Sequence, residues 1–166
     1  MANLIGIVKQ IVNESKSLKD RYTSNENAPV EFACIFCQSD DEYESYSNEI
    51  IKLGKPVQDT PTGFTYLLYQ PLQTVAGPLR LVKIRKPDPF RKELGDADFN
   101  TDYQLLKNKY LNNLKFELVK RDEFEMLRLS EPSGNVMACF SNIPLKEILN
   151  LDYELSNKTN EITNIK

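Results

Sequence analysis

The order of elements along this chain predicts an α+β fold: an N-terminal helix, then two tandem βαβββ modules. Three observations predict it. An apolar stripe at helical spacing runs through residues 3–22. A strand-like segment, a helix-like segment and three more strand-like segments follow, and the same order recurs, over 30–86 and 95–142. Each helix-like segment is preceded by a capping-box signature, Ser39 with Glu42 and Thr101 with Gln104.

In the first helix Leu4, Ile7, Ile11, Leu18 and Tyr22 share one face. The polar linker TSNENAP closes this unit, residues 1–29, and ends in a helix-breaking proline. Val30–Cys37 reads as an apolar strand. The helix over Asp40–Leu53 turns Tyr43, Tyr46, Ile50 and Leu53 to one side, with Gly54 placed to end it. Strands follow near Val57–Thr60, Thr62–Leu72 and Leu79–Arg85. The second module opens on Asp96–Phe99. Tyr103, Leu106 and Tyr110 line a helix, and strands follow at Lys115–Lys120, Glu123–Leu129 and Val136–Phe140. The two modules form a single domain over 30–150, and 151–166 is a polar C-terminal tail.

Composition narrows the chemistry. The 166 residues include 16 Phe plus Tyr, enough for a substantial core, and no histidine. Any acid–base work therefore falls to Asp, Glu, Lys, Tyr or Cys. A net charge of −3 disfavours generic polyanion binding. Three cysteines, an odd number, fit a reducing compartment better than a disulfide framework. Lys9 and Gln10 interrupt the only apolar run near the N-terminus, so no signal peptide is expected, and no stretch approaches the roughly 20 apolar residues of a membrane span. The expected location is cytoplasmic. Cys34 and Cys37 lie at an odd separation on a strand, which points their thiols to opposite faces and makes both core residues; Cys139 reads as core too.

The most informative segment is LRLVKIRKPDPFRKELGDADF, Leu79 to Phe99. Strand alternation puts Val82 and Ile84 on one face and Lys83 and Arg85 on the other. It likewise separates Ala97 and Phe99 from Asp96 and Asp98. With the apolar faces under helices, Lys83, Arg85, Asp96 and Asp98 are the candidate ligand-binding residues. The same four fit an ion-pair cluster joining the modules, or a catalytic group. Asp88 between two prolines suits a turn cap. Tyr66, Tyr69, Glu123 and Glu125 are further residues that strand packing explains or a pocket could use. The five cations at Lys83, Arg85, Lys86, Arg91 and Lys92 are interleaved with acids and have few aromatic neighbours, which disfavours nucleic acid.

The duplicated order resembles the vicinal oxygen chelate superfamily of glyoxalases, bleomycin-resistance proteins and extradiol dioxygenases. The likeness covers about two-thirds of the chain and rests on FACIFCQSDDEYE, LVKIRKPDPF and GDADF as well as on element order. It is nearest to an uncharacterised bacterial branch. The resemblance implies a curled, mainly antiparallel sheet with a concave pocket, where relatives hold a divalent metal through His and Glu. Here the corresponding positions fall at Phe32, Lys83 and Asp96, only the last of which offers an oxygen. Neither the standard metal site nor any other cofactor is expected. The resulting expectation is a protein that binds a small anionic or zwitterionic ligand. The rival readings are a metal-dependent lyase, isomerase or dioxygenase with a rearranged site near Asp96 and Asp98, and an interaction module, such as a homodimer, that uses the N-terminal helix.

Overall fold

Asn3 starts helix α1 (Leu4–Tyr22) by accepting a hydrogen bond from Gly6 N at 3.1 Å. A computed structural model describes residues 3–153 of the chain, so the expected tail from 154 onward lies outside the described residues. The face of α1 carrying Leu4, Val8, Ile11, Val12 and Leu18 is buried and packs on β1, β5 and β8. The helix is thus committed to its own domain, across the junction of the modules. Lys19 is buried too, which alternation alone does not reveal. Its ammonium donates to Asp20 at 2.6 Å and to the Asn25 carbonyl at 2.6 Å, and lies 5.1 Å from the centre of the Phe99 ring.

The first module is β1 (Val30–Phe36), α2 (Asp40–Ile50), β2 (Gly54–Thr60), β3 (Gly63–Thr74) and β4 (Gly77–Arg85). The second is β5 (Gly95–Phe99), α3 (Tyr103–Tyr110), β6 (Phe116–Lys120), β7 (Glu125–Leu129) and β8 (Val136–Ser141), followed by the short α4 (Leu145–Ile148). All eight strands form one open sheet in the order β2-β3-β4-β1-β5-β8-β7-β6. The order is palindromic by module. Each first strand runs parallel to the last strand of its own module, and β1 pairs antiparallel with β5 at the centre. The remaining pairs are antiparallel. This is the expected α+β architecture, a curled, mainly antiparallel sheet of two βαβββ modules with an N-terminal helix.

Two terminal signals act differently from expectation. Ser39 caps α2 and accepts from Glu42 N at 3.1 Å, while Glu42 accepts from Gln38 N at 3.0 Å. At α3 the cap is Asp102, not Thr101: its carboxylate accepts from Leu105 N at 3.2 Å. A carboxylate also complements the positive helix N-terminus, which a threonine hydroxyl does not. Gly54 opens β2 rather than ending α2, which stops at Ile50. A Cβ on Gly54 would lie 2.5 Å from the Leu67 carbonyl oxygen, so close strand approach is what requires glycine there.

One continuous core joins the inward residues of α1, α2 and α3 to one face of the sheet, including Ala33, Ile35, Val82, Ala97, Ala138 and Phe140. Tyr66 belongs to this helix-covered core, and Tyr69 is exposed beside it, so neither lies on the opposite face. Glu125 bonds Lys107 of α3 at 2.6 Å, again on the helix side, and Glu123 is an exposed residue before β7. Cys37 lies in this core, whereas Cys34 joins Phe36 and Met137 in a second cluster on the far face; Cys139 is fully buried. No helix among the described residues is long and apolar enough to cross a membrane.

Candidate functional site

The far face is where the chain concentrates its charge. Strand β1 lies between β4 and β5, and its residues set the rows. Cys34 pairs with Lys83 on one side and Asp96 on the other. Phe32 pairs with Leu81 and Asp98, and Phe36 pairs with Arg85. Lys83, Arg85, Asp96 and Asp98 therefore occupy one face of two strands that flank β1. Alternation places them there because Val82, Ile84, Ala97 and Phe99 fill the other face.

The opposite charges do not pair across β1. Lys83 donates instead to Thr60 Oγ1 at 3.0 Å and Thr62 Oγ1 at 2.7 Å, in the β2–β3 turn. Burial holds its ammonium below the usual lysine range. Arg85 bonds Asp88 at 3.0 Å and sits 5.2 Å over the Phe36 ring. Asp88 also caps its own turn by accepting from Phe90 N at 2.9 Å. Asp98 accepts from Ser141 Oγ at 2.9 Å, while among the described residues Asp96 has only the Cys139 thiol, at 3.7 Å. The reason is spacing: with adjacent strands about 4.8 Å apart, β4 and β5 side chains are separated by roughly 10 Å.

Arg128 and Arg91 complete the face: Arg91 belongs to the basic run in the sequence, and Arg128 lies outside it. Arg128 on β7 lies opposite Cys139, with its side chain 11% exposed. The alternation in EMLRL, Met126 and Arg128 against Leu127 and Leu129, carried that signal. Arg128 bonds the exposed Glu117 at 3.2 Å. Arg91 comes from the loop before β5 and approaches the Met137 sulfur at 4.0 Å. Among the described residues, Arg85 Nε and Arg128 Nε are buried with no hydrogen-bond partner.

Burial pushes the Asp96 carboxyl up to about 6, against the opposing pull of Arg128, the Cys139 thiol, Arg85 and Arg91. Burial and the neighbouring Asp96 push Asp98 up to about 7, with Ser141 opposing. At neutral pH Asp98 is thus balanced between its donor and acceptor forms. The three thiols do not share this readiness, since burial raises Cys34, Cys37 and Cys139 away from the reactive thiolate.

A divalent metal at Phe32, Lys83 and Asp96 does not fit these residues. Phe32 offers hydrocarbon, and Lys83 brings a cation already bound to two threonines. Among the described residues no three His, Cys, Asp or Glu side chains converge, and three is the usual minimum for a protein metal site.

The fold and this face together define a class: an open α+β sheet of two βαβββ units with half-buried charge of both signs at their junction. A solved structure described as "Structural Genomics, Protein EC4020" is similar in fold, with a TM-score of 0.64 at 14% identity, over 90% of this chain and 96% of that chain. No protein-family model matches the chain, and no curated protein does.

Proposed function

We propose that this protein binds a small anionic or zwitterionic molecule on the face of Lys83, Arg85, Asp96 and Asp98, without a metal. One observation carries the reading: among the described residues, Arg85 and Arg128 each keep a buried Nε with no acceptor, while Asp96 between them has only a thiol as hydrogen-bond partner. Unmet hydrogen-bonding capacity of this kind costs free energy in a static scaffold and is recovered when a ligand fills it. A carboxylate or phosphate suits the guanidinium groups, and Asp96 and Asp98 suit an amine or hydroxyl. The likeness to bleomycin-resistance proteins is an analogy of fold and adds nothing about the ligand.

A thermal-shift screen of amino-acid-like zwitterions and simple organic anions tests this. A ligand that raises Tm in the wild type, and fails to do so in folded Lys83→Met and Arg85→Met variants, supports the proposal. A shift that survives both substitutions rejects it. A stoichiometric divalent ion in the purified protein, with activation on its addition, favours the metal-dependent enzyme instead. The interaction-module reading has less support, because the apolar face of α1 is already spent on its own core.

A further inference from the structure

A cleft lies on the opposite side of the sheet, where β3 leaves its partner. Leu67 pairs with Leu81 and Leu72 with Leu79, so the four residues Leu68 to Pro71 stand opposite the single residue Arg80. This wide bulge is anchored at both ends of its first peptide: Arg80 Nε donates to the Leu68 carbonyl at 2.9 Å, and Tyr69 N donates to the Leu53 carbonyl at 2.8 Å. Bulges held in this way are features of a fold, not defects. The bulge opens a cleft of about 380 Å³ between β3, the start of α1 and the end of α2. Its floor is core: Leu4, Val8, Ile50, Leu68 and Val82 are all buried yet line it. Its rim includes Ile5, 38% exposed, and Tyr69, 57% exposed.

The lining contains one charged residue, Lys52, and no acid. Lys52 is exposed, and its ammonium has no hydrogen bond or ion pair with a described residue. The volume falls at the low end of the roughly 300–1,000 Å³ of small-molecule sites. We propose that this cleft takes the hydrocarbon chain of a medium-length aliphatic carboxylate, whose head group meets Lys52 at the mouth. Charge selects the head: with one cation and no acid among the lining residues, and the nearby Glu49 engaged by Leu4 N at 3.3 Å, a carboxylate is favoured over an amine. An apolar floor selects the tail, since each buried methylene contributes about fourfold in affinity, from about 0.8 kcal/mol. The site does not depend on the ligand of the Asp96 face, which lies across the sheet.

Calorimetric titration of the full chain with octanoate, decanoate and decylammonium, each below its micelle concentration, tests this. One-to-one binding is expected, with decanoate about fifteenfold tighter than octanoate and decylammonium weakest. The exposed substitutions Lys52→Glu and Ile5→Glu should each weaken decanoate several-fold, and amide shifts on decanoate addition should centre on Tyr69 and Lys52. Absence of saturable binding overturns the proposal. So does binding that both variants leave unchanged, or shifts centred on Asp96. A dimer in sedimentation that Ile5→Glu dissociates would assign the cleft to a second copy of the chain and also overturn it.

Discussion

Lys83 and Asp96 stand in the same cross-strand row with Cys34 between them, each paired in register with that cysteine. The interposed strand keeps the two charges apart. Each takes a weak or neutral partner, threonine hydroxyls for the lysine and a thiol for the aspartate. Had β4 and β5 been neighbours, the same four residues would form a closed ion-pair cluster. The antiparallel β1–β5 pairing at the module junction prevents it.

Replacing Lys83 with Met should leave the fold intact. The ammonium is half-buried, and burial depresses its affinity for a proton, so its two threonine bonds are offset by desolvation. The expected change in stability at pH 7 is within about 1 kcal/mol of zero, in either direction. Chemical denaturation measures this, and a loss well beyond that figure would make Lys83 a structural residue.

Stability should fall as pH rises from about 4 to 7. Asp98 holds its proton up to about 7 in the folded chain, while an unfolded aspartate releases its own near 3.8. Within that window the folded state binds more protons than the unfolded state, so raising the pH favours unfolding. Asp96, pushed up to about 6, acts in the same direction over the lower part of the window. Asp98→Asn removes the ionisation and keeps an acceptor for Ser141. Urea melts at several pH values should show a flatter profile for this variant, and about 1–3 kcal/mol more stability than wild type at pH 8, once partial contact with water is allowed for. Identical profiles would show that Asp98 does not carry the effect.

Gly95→Ala should be severely destabilising. A Cβ there would lie 2.1 Å from the Cys34 carbonyl oxygen and 2.7 Å from Ile11 Cδ1, where α1 crosses the β1–β5 junction. The side chain could move, but the paired backbone of β1 cannot without opening the sheet. A loss of about 3 kcal/mol or more is expected in thermal or urea melts. A near-neutral alanine would mean that the modules are less tightly joined than this geometry requires.

Lys19→Met should cost about 2–3 kcal/mol even though methionine replaces the apolar stem and is only one heavy atom shorter. The ammonium satisfies the Asn25 carbonyl of the linker and bonds Asp20. Methionine leaves both without it. Hydrogen exchange should show faster opening of residues 23–28 in the variant, and unchanged protection there would place the cost elsewhere.

Much of the fold was legible because periodicity reports directly on burial. GDADF alternates apolar and acidic residues, and that alone put Asp96 and Asp98 on one face. Arg128 was equally legible in EMLRL but is separated from Asp96 by 32 residues of sequence, so no local pattern ties the two together. Lys19 was not legible. Its charge argues for solvent, and only the return of the linker carbonyls over the end of α1 makes burial tolerable. The cap of α3 falls at Asp102, one residue past the expected Thr101, where a carboxylate reaches Leu105 N and complements the helix N-terminus; a capping-box pattern does not choose between such neighbours.

By itself the amino-acid order determined which segments become helix or strand, which face of each is apolar, and that the pattern occurs twice. Those properties follow from short-range geometry, 3.6 residues per helical turn and two per strand repeat. Which strands neighbour one another was decided only by tertiary pairing, because sheet order joins segments far apart in the chain. That pairing placed β1 between the cations of β4 and the acids of β5, kept those cations and acids from pairing with each other, and opened the cleft at the β3 bulge on the opposite face.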